Sequence, residues 1–526
     1  MTSSGGDGPG PDDAELAQTQ APQMAARMSK RHVRGSMILL AGRGVSLLFT
    51  IATQVVIVRA LSKGEYGAFA YALTLVNSGR ILLSLGQGKL LSRFMSKYEE
   101  EGDYPRMFGS LMLSIATILV TSTVLLAVLW VWSAQVLGMA FDDPRADNVL
   151  LILMFCAPLQ ALDQVFVSIF AVFSRPQAIF FRKYLVTPGL QLSVVLLIAL
   201  LHGSVYQLAL GYSVTSFVGI LIYVILLVRI LRERGLAQHF RFRSVVWPVR
   251  EVFGFSFPTL TQELGYLATN TGSVLILGGF WGARQVADFR AVLPAARLNQ
   301  VVYQTFVTMF LPMSARLFTR HDHDGVRETY WHTSHFLAVS TFPVFIMTTV
   351  FAPITTSTLF GTRYSTSAGV LLALSIGYYT SIALGFNLYV LQIYGKLKYL
   401  VFSNVGVAGF SLLLAFILTP RLGAMGAALA NGSTMVAQNL VNQYVLMRTL
   451  KSGGDKRAYA RPYLIAGLVT VVLIVVRIAV DPGLLGALAA TAIGTLVLLR
   501  TTRRSLQLMS TFPELAKVPG LSRLIS

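Results

Sequence analysis

Apolar residues along this chain come in long runs separated by short polar connections. Fourteen runs reach the ~20 residues that a helix rising 1.5 Å per residue needs to cross a ~30 Å hydrocarbon core. They cover 36–58, 66–91, 107–132, 149–173, 180–201, 206–230, 253–277, 286–311, 333–355, 367–391, 398–418, 424–447, 462–480 and 484–500. The last two are the shortest and read as two spans or as one re-entrant hairpin. The pattern predicts an all-α polytopic membrane protein of about 14 transmembrane helices. Within span 2, Thr74, Asn77, Arg80, Ser84 and Gln87 recur at helical spacing and draw one polar stripe along an apolar helix. Span 8 does the same with Arg290, Arg297, Gln300, Gln304 and Thr308, span 7 carries Thr259, Gln262, Glu263, Tyr266 and Asn270, and span 1 carries Arg43, Thr50 and Gln54. A hydrated cavity walled by spans 1, 2, 7 and 8 is therefore expected.

Composition fixes the solvent. With 54% hydrophobic and 13% charged residues the surface cannot face water throughout, so lipid covers much of it. The net charge of +20 would suggest nucleic acid in a soluble protein, but these cations sit in short connections, and no nucleic-acid partner is expected. The tail before span 1 and the connections after even-numbered spans hold 32 of the 43 Lys and Arg residues, against 6 in the alternate connections. That asymmetry predicts both termini in the cytoplasm. Residues 1–35 have no apolar h-region and read as a disordered cytoplasmic tail. Cys156 is the only cysteine, so no intramolecular disulfide can form.

The chain repeats itself. Arg93 and Gly102 match Arg316 and Gly325 at an offset of 223, and Phe69 and Gly189 match Phe289 and Gly409 at 220. Six spans per repeat give two halves of parallel orientation. The expected organisation is an N-lobe of spans 1–6 (36–233), a basic linker (234–252) attracted to anionic lipid, and a C-lobe of spans 7–12 (253–451). Spans 13–14 (452–500) and a cytoplasmic tail (501–526) follow.

The remaining five cations, Arg43, Arg80, Arg290, Arg297 and Arg477, lie inside spans, and all are arginine. An ionised side chain mid-bilayer costs roughly 2.5 to 3.5 kcal/mol on insertion scales, so it faces a cavity or a partner. A guanidinium keeps its charge there and grips phosphate with parallel donors, which implies an anionic cargo. Arg43, Asn77, Arg80, Arg290 and Arg297 are the candidate substrate-binding residues. Arg290 is near enough to its span's end to serve the interface instead, and Arg477 is expected to snorkel. Asp163 and Glu263 are the deep acids, suited either to pairing with Arg80 or Arg297 or to coupling H⁺ or Na⁺.

Several motifs fail. His321-Asp322-His323-Asp324 lies in a polar connection and reads as solvated, and no metal or other cofactor is expected. Lys89 has no Walker A glycines around it, and no Gly-x-Ser-x-Gly elbow appears. The chain does not read as an enzyme.

Val58-Arg59-Ala60-Leu61-Ser62-Lys63-Gly64-Glu65-Tyr66-Gly67-Ala68-Phe69 resembles the span 1 to span 2 connection of bacterial polysaccharide flippases of the Wzx type. Leu422-Gly423-Ala424-Met425-Gly426-Ala427-Ala428-Leu429-Ala430 is similar to their entry into span 12. Those flippases belong to the multidrug, oligosaccharidyl-lipid and polysaccharide exporter superfamily. Arg43, Asn77-x-x-Arg80 and Arg297 also match cavity arginine positions of the related lipid II flippases, whose Gly-rich connection after span 1 is missing here. The resemblance implies translocation of a polyprenyl-diphosphate-linked oligosaccharide to the outer leaflet of the bacterial inner membrane by alternating access. Polymerase and glycosyltransferase partners come with it, and Gly254, Pro258, Gly265 and Pro294 become candidate bending points in spans 7 and 8. The alternatives are a lipid II flippase, a multidrug or cation antiporter, and a membrane glycosyltransferase or polymerase.

Overall fold

The computed structural model describes residues 42–131, 144–173, 180–450 and 456–506, and every regular element among them is helical. The helices are α1 (Gly42–Ala60), α2 (Lys63–Leu83), α3 (Gln87–Glu100), α4 (Tyr104–Val131), α5 (Pro144–Met154), α6 (Cys156–Val172), α7 (Thr187–Leu200) and α8 (Val205–Glu233) in the first half. The second half holds α9 (Val249–Asn270), α10 (Gly272–Ala296), α11 (Gln300–Thr319), α12 (His323–Ser340), α13 (Phe342–Thr349), α14 (Ala352–Phe360), α15 (Ala368–Ala383), α16 (Asn387–Ile393) and α17 (Leu397–Thr449). Two further helices, α18 (Lys456–Val480) and α19 (Leu484–Leu506), close the described chain. Among the described residues nine helices are long and apolar enough to cross a membrane, ten if the bent pair α13 and α14 forms one span. The protein is a multi-pass membrane protein. Both α18 and α19 reach spanning length, so the last two apolar runs need not share one hairpin.

Fewer unbroken spans appear than apolar runs because several runs are interrupted. Proline has no N–H to give the carbonyl four residues back, and its ring crowds that carbonyl. Three breaks follow: α5 ends at Met154, four before Pro158; α12 ends at Ser340, three before Pro343; and α13 ends at Thr349, four before Pro353. At the last, α14 turns by 85°. The carbonyl of Val350 in that bend accepts a 2.7 Å hydrogen bond from Arg477 Nη1. Arg477 therefore braces a broken helix. The expected bends in span 7 also move: α9 runs through Gly254, Pro258 and Gly265 without interruption and stops at Thr271. The chain reverses at Gly282 (φ 72°) and Gly423 (φ 57°), conformations that glycine adopts without a Cβ penalty.

The phrase that opens span 2 folds residue by residue. Ser62 Oγ accepts from Glu65 N while Glu65 Oε2 accepts from Ser62 N, a reciprocal capping box that starts α2. Gly67 then lets α2 touch the turn before span 8. A Cβ there would lie 1.8 Å from the carbonyl oxygen of Ala283, a backbone atom that cannot rotate away. Phe69 packs edge-on against Tyr212 at 5.1 Å. Gly67→Ala is expected to cost about 3 kcal/mol or more by forcing α2 and α10 apart. Its melting temperature in detergent should fall by several degrees while Gly64→Ala, where a Cβ meets open space, stays near wild type.

The two halves touch at both ends. Near the α1–α2 turn, Lys63 Nζ lies 2.7 Å from Asp288 Oδ1. Arg59 Nε donates to the carbonyl of Leu359 at 3.0 Å, and Arg363 reaches back to the carbonyl of Val58. At the opposite end Tyr98 on α3 donates to Glu251 on α9 at 2.8 Å. Burial, then the bond to Glu251, pushes the Tyr98 phenol up to about 12, so it remains a donor across the physiological range. The basic linker forms two short 3₁₀ turns, Leu236–His239 and Phe242–Ser244, held on α4 by Val246 N donating to the Pro105 carbonyl at 3.3 Å.

Candidate functional site: an arginine-lined blind cavity

A cavity of about 520 Å³ lies between α1 and α2 on one side and α10 and α11 on the other. Helical spacing sets its wall. Arg43, Thr50 and Gln54 come round to one face of α1, Thr74 and Asn77 to one face of α2, and Arg290, Arg297 and Gln304 face them. Toward the α1–α2 turn the lining is buried, with Ile57 and Phe69 at 3% and 1% exposure. At the other end Thr50, Asn77 and Gln304 are exposed. The cavity is therefore blind near that turn and open to water away from it.

Three arginines line it, and no Asp or Glu is among the described lining residues. Neutral groups help to orient each guanidinium. Arg43 Nε donates to Tyr184 Oη at 3.4 Å. Arg290 Nη2 donates to Thr74 Oγ1 across the cavity. Arg297 Nε donates to Tyr378 Oη at 2.5 Å, Nη2 reaches Asn270 Oδ1 at 3.4 Å, and the guanidinium stands 5.4 Å from the centroid of the Tyr378 ring. Arg297 lies where span 8 is interrupted between α10 and α11. Asn77 spends its amide N–H on the Leu73 carbonyl at 2.8 Å.

The other candidates are placed differently from expectation. Arg80 is in the last turn of α2, half-buried and beyond the cavity wall. There it shares an electrostatic neighbourhood with Lys183, which Arg43 and Arg182 also flank. Asp163 pairs with neither Arg80 nor Arg297 but with Arg182. Arg182 belongs to a π-helical turn, Phe180–Val186, at the start of span 5, so it is an interior residue and not a connection cation. It is 3% exposed, donates Nε to the Gly219 carbonyl at 3.1 Å and lies 4.1 Å from the Tyr223 ring centroid. Gly219 makes the room: a Cβ there would stand 2.3 Å from Arg182 Nη2. Asp163 and Arg182 thus neutralise one another inside the first six spans. Glu263 is half-buried on α9 and is not part of the described cavity lining. No described side chain of span 7 is in that lining; Tyr184 and Tyr212 from spans 5 and 6 are. The side chains of Gln87, Thr259, Gln262, Tyr266 and Thr308 lie outside the described residues.

Among the described residues no group of three or more His, Cys, Asp or Glu is placed to hold a metal. In the His321–Asp324 stretch, Asp322 caps α12 by accepting from Gly325 N at 2.8 Å, His323 Nδ1 meets Tyr394 Oη at 2.9 Å, and Asp324 pairs with Arg327 at 2.6 Å.

Residues 32–318 match the family model described as polysaccharide biosynthesis protein. The chain belongs to that family. A search of curated proteins finds no match. Among solved structures the fold is similar to the lipid II flippase MurJ in an inward closed conformation, with 13% identity and a TM-score of 0.68 over 90% of this chain and 100% of that one. It is also similar to an inward-facing multidrug resistance MATE family transporter of the MOP superfamily, with 13% identity and a TM-score of 0.61 over 77% of this chain and 94% of that one. A MOP superfamily transporter from Pyrococcus furiosus shares 15% identity at a TM-score of 0.52 over 80% and 95%. The chain thus shares its fold with a flippase and with multidrug transporters.

Proposed function

We propose that the protein flips a polyprenyl-diphosphate-linked oligosaccharide from the cytoplasmic to the outer leaflet of a bacterial inner membrane, for exopolysaccharide, capsule or O-antigen synthesis. One observation carries the reading: Arg43, Arg290 and Arg297, drawn from both halves, line one water-open cavity with no described acid among them. A diphosphate needs shielding from hydrocarbon, and guanidinium donors supply it at a charge that persists in low dielectric. The same charge disfavours the cationic cargo of a drug antiporter. Arg43, Arg290 and Arg297 bind the diphosphate, Asn77 meets the first sugar, and Arg80 adds attraction from beyond the wall. The prenyl tail is too long for about 520 Å³ and stays in lipid.

With both termini in the cytoplasm, as the cation count predicts, the open end faces the cytoplasm. Loading occurs there, and rocking of the N-lobe (36–233) against the C-lobe (253–451) transfers access to the other side. Asp163, paired with Arg182, and Glu263 on α9 are the two acids suited to coupling H⁺ or Na⁺. Glycosyltransferases that build the unit and a polymerase that consumes it are the partners this function implies. Leaflet-resolved analysis of lipid-linked sugars after depletion tests it. Full-length units trapped in the inner leaflet are expected. Short unpolymerised units outside would mean an enzyme, and trapped peptidoglycan precursor would mean a lipid II flippase.

A further inference from the structure

Arg290 and Pro294 are separated by one helical turn, and that spacing has a consequence at the blind end of the cavity. In an α-helix the N–H of residue 294 would bond to the carbonyl of residue 290; Pro294, inside α10, has none. The carbonyl of Arg290 therefore needs a donor from elsewhere. Gln54 on α1 is in place: its Nε2 lies 3.3 Å from Arg290 O and 3.4 Å from Ala291 O. The same amide nitrogen is 2.5 Å from Tyr66 Oη on α2. The guanidinium of Arg290 crosses in the same direction, to Thr74 on α2. One residue of span 8 is thus tied to the first two spans by its backbone and by its side chain.

We propose that Gln54 is the positioning residue of Arg290: by supplying the N–H that Pro294 lacks, it ties span 1 to span 8, aims Arg290 into the cavity and holds the blind end shut. The bond has to break when the lobes part on that side. Its loss leaves the Arg290 carbonyl to water, a modest cost suited to a contact that must open in every cycle. The role of Arg290 as a cargo ligand rests on the flippase reading; the tie between the helices does not.

The test uses the full chain in intact cells, with Cys156→Ser to remove the native thiol and Ala70→Cys as reporter, since Ala70 lines the cavity at 7% exposure. The rate of labelling by an impermeant maleimide reads opening of the blind end to the outside. Gln54→Met, close in shape but without a donor, should raise that rate about 2- to 10-fold, the loss of one net hydrogen bond. Pro294→Ala restores the intrahelical N–H and should raise it as well. In the Pro294→Ala background, Gln54→Met should add nothing, because the carbonyl is already satisfied. Multiplicative effects, or no change on Gln54→Met at an unchanged melting temperature, would overturn the assignment. Because labelling needs no cargo, a result here stands whether or not arginine substitutions stop export. Normal export by those arginine variants would sink the flippase reading alone.

Discussion

Replacing Arg297 with Ala should lower glycan export about 100-fold while the protein stays inserted and abundant. The magnitude follows from the loss of two charge-assisted hydrogen bonds to phosphate at about 1.5 kcal/mol each. Its neighbours explain why folding should survive. Half-buried Asn270 can turn to water when the guanidinium is gone, and water from the open cavity can enter the vacated space and meet the hydroxyl of buried Tyr378. Arg297→Lys should recover only part of the activity, because an ammonium offers a point charge where two parallel donors are needed. Arg43→Ala should cost about 10-fold, one such contact. Arg80→Ala should cost less than either, since Arg80 is off the described wall. Exported polysaccharide per cell, normalised to protein detected in the membrane, checks the series. An Arg80 defect larger than the Arg297 defect would reverse the assignment.

That order differs from what the polar stripe on span 2 suggests. The stripe assumes one straight helix from Thr74 to Gln87. The helix stops at Leu83, and the chain turns through Leu85 (φ 43°) and Gly86 (φ 76°). Thr74 and Asn77 reach the cavity, and Arg80, one turn further on, is carried past its wall. The α2 phrase was legible because its interactions are local or backbone-set: a three-residue capping box and a glycine at a close approach. The helix breaks were legible only in part: Pro158, Pro343 and Pro353 stand just past them, but Pro258 and Pro312 lie inside unbroken helices, and only packing tells the two cases apart. The interior role of Arg182 was not legible. In the sequence it stands beside Lys183 among connection cations, and only packing shows that Gly219 leaves a slot for it opposite Asp163. The repeat was informative unevenly. Phe69 and Phe289 are both fully buried, whereas Gly102 (φ 69°) ends α3 and its counterpart Gly325 lies inside α12. The second-half turn equivalent to Gly102 is made by His321 (φ 59°), four residues earlier.

Lys63→Met should destabilise the protein by about 3 kcal/mol, the lower end of the cost of breaking a buried ion pair by removing one partner. The asymmetry of the pair sets the direction. Asp288 has only 8% of its side chain exposed, and without Lys63 its charge keeps, among the described residues, the hydroxyl donors Ser367 at 2.6 Å and Thr366 at 3.3 Å. Lys63 is 26% exposed, and without Asp288 its ammonium can turn toward water, so Asp288→Asn should cost less. The pair also joins the halves beside the blind end of the cavity. Lys63→Met should therefore speed external labelling at Ala70→Cys as well as lower the melting temperature in detergent. The double replacement Lys63→Met with Asp288→Leu puts apolar groups on both sides and should recover at least half of the lost stability, since no unpaired charge remains buried. It should not recover slow labelling, because apolar contact does not hold the halves in register as a directed ion pair does. A double variant that restores both would show that the pair only fills space; one that restores neither would show that Lys63 acts through its contact with the Tyr364 ring, 5.5 Å from its ammonium, and not through Asp288.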